Sequence, residues 1–176
     1  MKFLYAIGLL VLCLAQPAMA ERADRKKPMH LEADRATVED VNRKESSRIT
    51  VFTGNVVITQ GTMRITADKV IMKEDLNGFK HATGLGDLVT FRQKRDGLDE
   101  YVEGWSQRVE YDSKTDKIEL FRQARLKRGT DEVKGDYISY DMTSEFFKVM
   151  GSKERGDETG ADKRVRITIQ PKNKSE

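Results

Sequence analysis

The sequence predicts an all-β protein, an antiparallel β-jelly-roll or roll of repeated strand-turn units that is open at both ends. Three observations predict it. Apolar residues recur with period two wherever they recur, as at Val56 and Ile58 against Asn55, Val57 and Thr59. No dozen-residue window after Glu21 carries a helical i, i+3, i+4, i+7 stripe. Finally, the chain repeats itself. Gly61, Thr62, Ile65, Asp68 and Val70 return as Gly129, Thr130, Val133, Asp136 and Ile138, all 68 residues on, and Leu31 to Ala36 matches Ile65 to Val70 at 34 residues. A further copy places Val109-Glu110-Tyr111-Asp112 against Ile138-Ser139-Tyr140-Asp141. Such periods mean a small β unit used several times.

In chain order, residues 21–27 are polar and expected to be mobile, and Pro28 fixes the start of a short strand over 29–33. Residues 36–52 read as two strands around a loop at 42–47. The stretch 53–72 reads as strand, Gln60-Gly61 turn, strand, and a second turn at Asp68-Lys69 before Val70. A turn at 74–78 carries the hairpin signal Asn77-Gly78. A strand over 79–84 is expected to break at Gly84-Leu85-Gly86, with another over 88–93 and a loop over 94–99 around Asp96-Gly97. From Tyr101 strands follow closely, with turns at 112–116, 128–131 and 142–145. After a charged, Gly-rich loop over 151–163, Arg164 to Gln170 alternates cleanly as a last strand, and Pro171 ends it.

The two ends and the charge narrow the class. Residues 1–20 have the form of a secretory signal peptide: a charged Lys2, an apolar run from Phe3 to Ala15, and Ala18-Met19-Ala20 as the cleavage site. The expected product is a soluble exported chain with one domain over 21–171 and a flexible tail over 172–176. The single cysteine, Cys13, lies in the leader, so the rest can form neither a disulfide nor a thiolate metal site. The 32 basic residues stand against 29 acidic ones, and that balance gives no reason to expect a nucleic-acid partner.

Catalytic chemistry needs a convergent nucleophile, base and stabiliser, and the sequence offers none. His30 and His81 are far apart without a ligand pattern, so neither metal nor cofactor is expected. The recurrent Asp34, Asp68 and Asp136 read as turn residues whose carboxylates cap their own backbone. Aromatics spread through the strands read as core and cross-strand packing. An open roll could also hold an apolar groove fit for acyl chains, and the residue pattern is compatible with either a groove or a filled core. Parity places Phe52, Val56, Ile58, Ile65, Val70, Met72, Phe91, Val133 and Ile138 inside, with Met29 and Leu31 at the N-terminal mouth.

The segments Pro28 to Asp34, Phe52 to Gly61 (FTGNVVITQG), Ala67-Asp68-Lys69-Val70, Val102-Glu103-Gly104, Lys134-Gly135-Asp136 and Lys163-Arg164-Val165 with Pro171 resemble the OstA-like family of periplasmic lipopolysaccharide-transport proteins. The likeness spans nearly everything after the leader and departs at 42–47, 74–81 and 92–100. The resemblance implies a β-jelly-roll whose groove, lined by the inward residues above, carries the acyl chains of lipid A. It also implies head-to-tail self-association through two strand edges, Met29, His30 and Leu31 at one end and Val165, Ile167 and Ile169 at the other. The implied partners are an inner-membrane-anchored component of the same fold and the periplasmic domain of the outer-membrane assembly barrel. A β-solenoid acting on glycans and an exported structural filament are the alternatives from other classes.

Overall fold

The structure, a computed structural model of the 176-residue chain, describes residues 24–39, 47–78, 80–152 and 164–171. The expected signal peptide, nearly all of the loop expected at 42–47, most of that expected at 151–163 and the expected tail fall outside the described residues. A 3₁₀ turn, Asp24–Lys26, precedes ten strands: β1 (Met29–Glu32), β2 (Arg35–Glu39), β3 (Arg48–Gln60), β4 (Met63–Glu74), β5 (Lys80–Lys94), β6 (Tyr101–Asp112), β7 (Lys117–Arg128), β8 (Asp131–Asp141), β9 (Phe147–Met150) and β10 (Arg166–Thr168). All pair antiparallel in one open sheet. β3 to β8 form a meander of long strands, β1 and β2 share the outer edge of β3, and β9 and β10 share that of β8.

One feature organises this sheet. Every long strand is irregular near its middle, and the irregularities are neighbours: Gly54-Asn55 in β3 lies opposite Asp68 in β4, the register then slips at 86–88 in β5 and near Gln107 in β6, and Arg122-Gln123 in β7 lies opposite Asp136 in β8. Asn55, Arg122 and Gln123 all have positive φ there. The breaks between β1 and β2 and between β9 and β10 continue the line. Bulges bend a strand and add or drop a residue, and here they divide the sheet along a seam into two halves.

The halves face each other. Phe91 of one packs its ring 6.3 Å from that of Tyr140 in the other, and a Cβ at Gly104 would meet the Leu120 side chain at 3.0 Å. One apolar cluster, from Val56 through Tyr140, fills the space between them. The seam also explains the parity. In β4 the buried residues are Met63, Ile65 and Ala67 before it but Val70 and Met72 after it.

Several sequence expectations are thereby corrected. Asp68-Lys69 does not turn the chain, and Gly84-Leu85-Gly86 does not end a strand; both lie inside continuous strands as bulges. Asp34 and Asp68 reach across to neighbouring strands rather than capping their own turns. Asp34 Oδ2 accepts from Asn55 Nδ2 at 2.9 Å, Asp68 Oδ2 accepts from the Asp87 amide at 3.3 Å, and Asp136 is buried. Residues 24–27 are not a loose arm either: Asp24, 3% exposed, accepts from the Thr62 amide at 2.7 Å and its hydroxyl at 2.6 Å. The terminal strand is shorter than expected, Arg166–Thr168 rather than 164–170. The turns at Gly61, Asn77-Gly78, Gly97, 112–116, Gly129 and 142–145 stand where the sequence puts them.

Candidate functional site

Because paired residues share a face, the strand registers trace what lines the interior. In one half a row runs from edge to edge: Leu31, Ile58, Ile65, Phe91, Gly104, Leu126, Val133, Ile167. In the other half Ala36, Phe52, Val70, Gly84, Val109, Leu120, Ile138 and Val149 form its counterpart. Both rows are apolar at every position. Each has a glycine near its centre, and at Gly104 the vacant side-chain volume is filled from across the layer by Leu120.

The residues expected inside, Met72 excepted, are brought together by these rows and their neighbours. Val56, Ile58, Ile65, Val70, Phe91, Val133 and Ile138 are buried in one cluster, Phe52, Met29 and Leu31 are partly buried and pack on it, and Met72 is buried outside it. The sequence reading missed Val89, Val102, Val109, Ile118, Leu120, Leu126 and the two tyrosines, Tyr111 and Tyr140, that belong with them. The signal was present, since each alternates within its own strand half. It is hidden because parity changes at a seam that no single strand reveals.

The edge residues divide. His30 pairs with Thr59 and points away from the interior. Ile167 pairs with the inward Val133 and lies on the interior side of the sheet, while Val165 and Ile169 flank the three-residue strand. Yet these residues are exposed, Ile167 at 59% and Ile169 at 75%, and among the described residues no strand lies beyond β10. The interior therefore reaches open water at this edge.

The outer face is polar and laminated. Arg92 lies 3.7 Å over the Tyr101 ring, Arg108 4.0 Å over Phe121, and Arg125 4.6 Å over Trp105, with Glu103, Glu110 and Glu132 as their ion-pair partners. The Tyr137 hydroxyl donates to Glu119. These aromatics are cross-strand packing on the outer face and take no part in the interior. Glu132 is held below the usual carboxylate range, first by its bond from Lys134 and then, against burial, by Arg125. His81 stands 3.9 Å from both Glu110 and Asp112, and no metal-binding cluster occurs among the described residues.

Opposite the seam, the strand ends of the two halves meet as facing rims. One holds the β3–β4 turn, the β5–β6 loop and the β7–β8 turn, and the other the β4–β5, β6–β7 and β8–β9 turns. Arg95 on the first rim donates through Nε and Nη2 to Glu145 Oε2 on the second, at 3.0 and 2.7 Å, and through Nη1 to Glu100 at 2.6 Å. The Glu145 bond is the chief reason that the Arg95 guanidinium is held protonated even more firmly than usual, burial opposing it. Just beneath, burial pushes the Tyr140 hydroxyl pKa up, and the Glu145 charge adds to the shift. Arg128 over Phe147 at 5.3 Å is a second rim-to-rim contact.

The described residues thus define a seamed antiparallel sheet folded over one apolar layer, an open β-roll. Residues 29–146 match the family described as LptA/(LptD N-terminal domain) LPS transport protein, and the chain belongs to that family. It is 31% identical over 145 residues to the lipopolysaccharide export system protein LptA of Escherichia coli K12, covering 81% of this chain and 75% of that one. It is 32% identical over 138 residues to LptA of Haemophilus influenzae, 77% of each chain. Against LptH of Pseudomonas aeruginosa, likewise named a lipopolysaccharide export system protein, identity is 26% over 170 residues, 96% of this chain and 94% of the relative. The crystal structure of LptH, described as the LptA-homologous periplasmic component of the lipopolysaccharide transport device, superposes with a TM-score of 0.74 at 25% identity, covering 85% of this chain and 99% of that one.

Proposed function

We propose that this protein is a periplasmic bridge that holds lipopolysaccharide by the acyl chains of lipid A between the two halves of the roll and passes it from the inner to the outer membrane. The observation that carries this reading is the pair of apolar register rows running from edge to edge, in a member of a lipopolysaccharide-transport family. An apolar layer that ends in exposed Ile167 and Ile169 is what a lipid conduit needs if it continues into a neighbour. In this closed form the layer is filled by its own side chains, so acyl chains would enter by displacing them as the halves part.

Head-to-tail stacking belongs to the same proposal. Among the described residues β1 and β10 stand at the two ends of the strand order, where a partner strand could add to the sheet. Pairing a first edge with a last one is heterologous and does not close, so it builds filaments. Unlike partners of the same fold would be an inner-membrane-anchored component at the β1 end and the periplasmic domain of the outer-membrane assembly barrel at the β10 end. The signal peptide, cleaved after Ala20, would deliver the chain to that compartment.

Incubating the purified protein with vesicles containing rough lipopolysaccharide tests the reading. Coelution of lipopolysaccharide with the protein on gel filtration is expected. Soluble-glycan binding without lipid would favour the glycan reading, and self-assembly without lipid uptake the filament reading.

A further inference from the structure

We propose that the β5–β6 loop and the β8–β9 turn form a lateral latch, with Arg95 clasped between Glu100 and Glu145 holding the roll shut where acyl chains are admitted. This inference rests on the interior being the lipid site and specifies how that site is gated. The two sides of the folded sheet are closed differently. At the seam each long strand runs on from one half into the other, so the halves are joined there by the backbone itself and cannot part. At the rims, Arg95–Glu145 and Arg128–Phe147 are side-chain contacts that can part while every strand stays paired.

The Arg95 cluster is the strongest of these rim contacts. Both nitrogens facing Glu145 bond the same carboxylate oxygen, and the side chains are only 19% and 22% exposed, so the pair is shielded from solvent screening. Glu145 is presented in an unusual way. Its φ is +54°, a left-handed conformation that a residue with a long side chain adopts at a cost. The surrounding turn is built to impose it: Asp141 Oδ1 accepts from the Thr143 and Ser144 amides, both at 2.9 Å, and the Asp141 amide donates to the Phe146 carbonyl at 2.9 Å. The partners are 50 residues apart, so no local folding preference explains their meeting.

The surroundings suit passage of an acyl chain. Leu98 beside Arg95, 44% exposed, and Phe146 beside Glu145, 69% exposed, put apolar side chains in water on both rims of the latch. Below it lie Tyr140 and Phe91, whose rings bridge the two halves of the interior. A chain sliding between Leu98 and Phe146 would reach the apolar rows directly once the ion pair opens.

The experiment uses the double variant Arg95→Cys/Glu145→Cys in a Cys13→Ser background, where no other thiol exists. A short bismaleimide then gives one protein in two states, unlinked with no latch and linked with a permanent one. Loading of rough lipopolysaccharide from vesicles is followed over time, with circular dichroism confirming the fold. The unlinked form should load about tenfold faster than wild type, the effect of losing one charge-assisted pair from the barrier, and the linked form about tenfold slower or not at all. Glu145→Gln, which keeps the side-chain shape, should also load faster. Equal loading by linked and unlinked forms, or unlinked and Glu145→Gln forms no faster than wild type, would overturn the latch while leaving the interior as the lipid site. Failure of wild type to load would overturn the underlying reading, and the latch with it.

Discussion

Gly61 and Gly129, equivalent in the sequence repeat, both stand at φ +59° in the tight turns that end β3 and β7. A side chain in that region costs on the order of 1–2 kcal/mol. The two sites differ in their surroundings, since an added Cβ at Gly129 meets Glu100 at a tolerable 3.1 Å, whereas at Gly61 it collides with the clamped Asp24. Urea melts should therefore show Gly129→Ala losing about 1 kcal/mol, the strain alone, and Gly61→Ala losing more; equal losses would mean that the Asp24 clamp yields freely. A second residue-scale expectation concerns pH. Asp141 is held below the usual carboxylate range chiefly by the Ser144 amide, with burial opposing and the Ser144 hydroxyl and Thr143 amide assisting. A depressed folded pKa gives stability that is present above the unfolded value, about 4, and lost as pH falls through the lower folded value. Protection of the Thr143 and Ser144 amides from hydrogen exchange, taken relative to the intrinsic rate at each pH, should fall across that acid window in wild type and be low already at neutral pH in Asp141→Ala.

At the scale of elements, the seam decides how much of the fold was legible. Strand periodicity, the turn glycines and the Asp112 and Asp141 turns were readable because their chemistry is local: each aspartate accepts from the amides two and three residues on. Asp68-Lys69 reads as a turn and Gly84-Leu85-Gly86 as a strand break because bulges use the same residue types as turns and breaks, and only pairing with neighbouring strands distinguishes them. Around Asp68 the inward Ile65 and Val70 are still legible, since a turn and a bulge both reset the alternation, whereas Ala82 and Val89 on either side of 84–86 are not. Arg95 and Glu145 gave no signal, because their contact exists only after the sheet folds over itself. If the aspartates hold the seam, Asp34→Ala should weaken the join between β2 and β3 through loss of the Asn55 bond, costing about 1 kcal/mol. Faster exchange at the Asp34 amide, which donates to the Gly54 carbonyl at 2.9 Å, would report it.

For the whole molecule, the continuity of the interior from one edge to the other links fold to transport. Removing residues 165–176 should leave a folded monomer that still loads lipopolysaccharide but no longer forms long oligomers in light scattering at high concentration. Persistence of filaments would move assembly from the edges to a face. The most direct test of the interior as the lipid site is photo-crosslinking with benzoylphenylalanine placed one at a time at Ile58, Phe91, Thr59 and Thr66. Ile58 and Phe91 lie in the buried row, whereas Thr59 and Thr66 point outward and Thr66 hydrogen-bonds Thr90 across the outer face at 2.6 Å. After incubation with rough lipopolysaccharide, lipid adducts are expected at Ile58 and Phe91 and not at Thr59 or Thr66. Adducts at the threonines with none at the two inward positions would contradict the interior as the place where lipid is held.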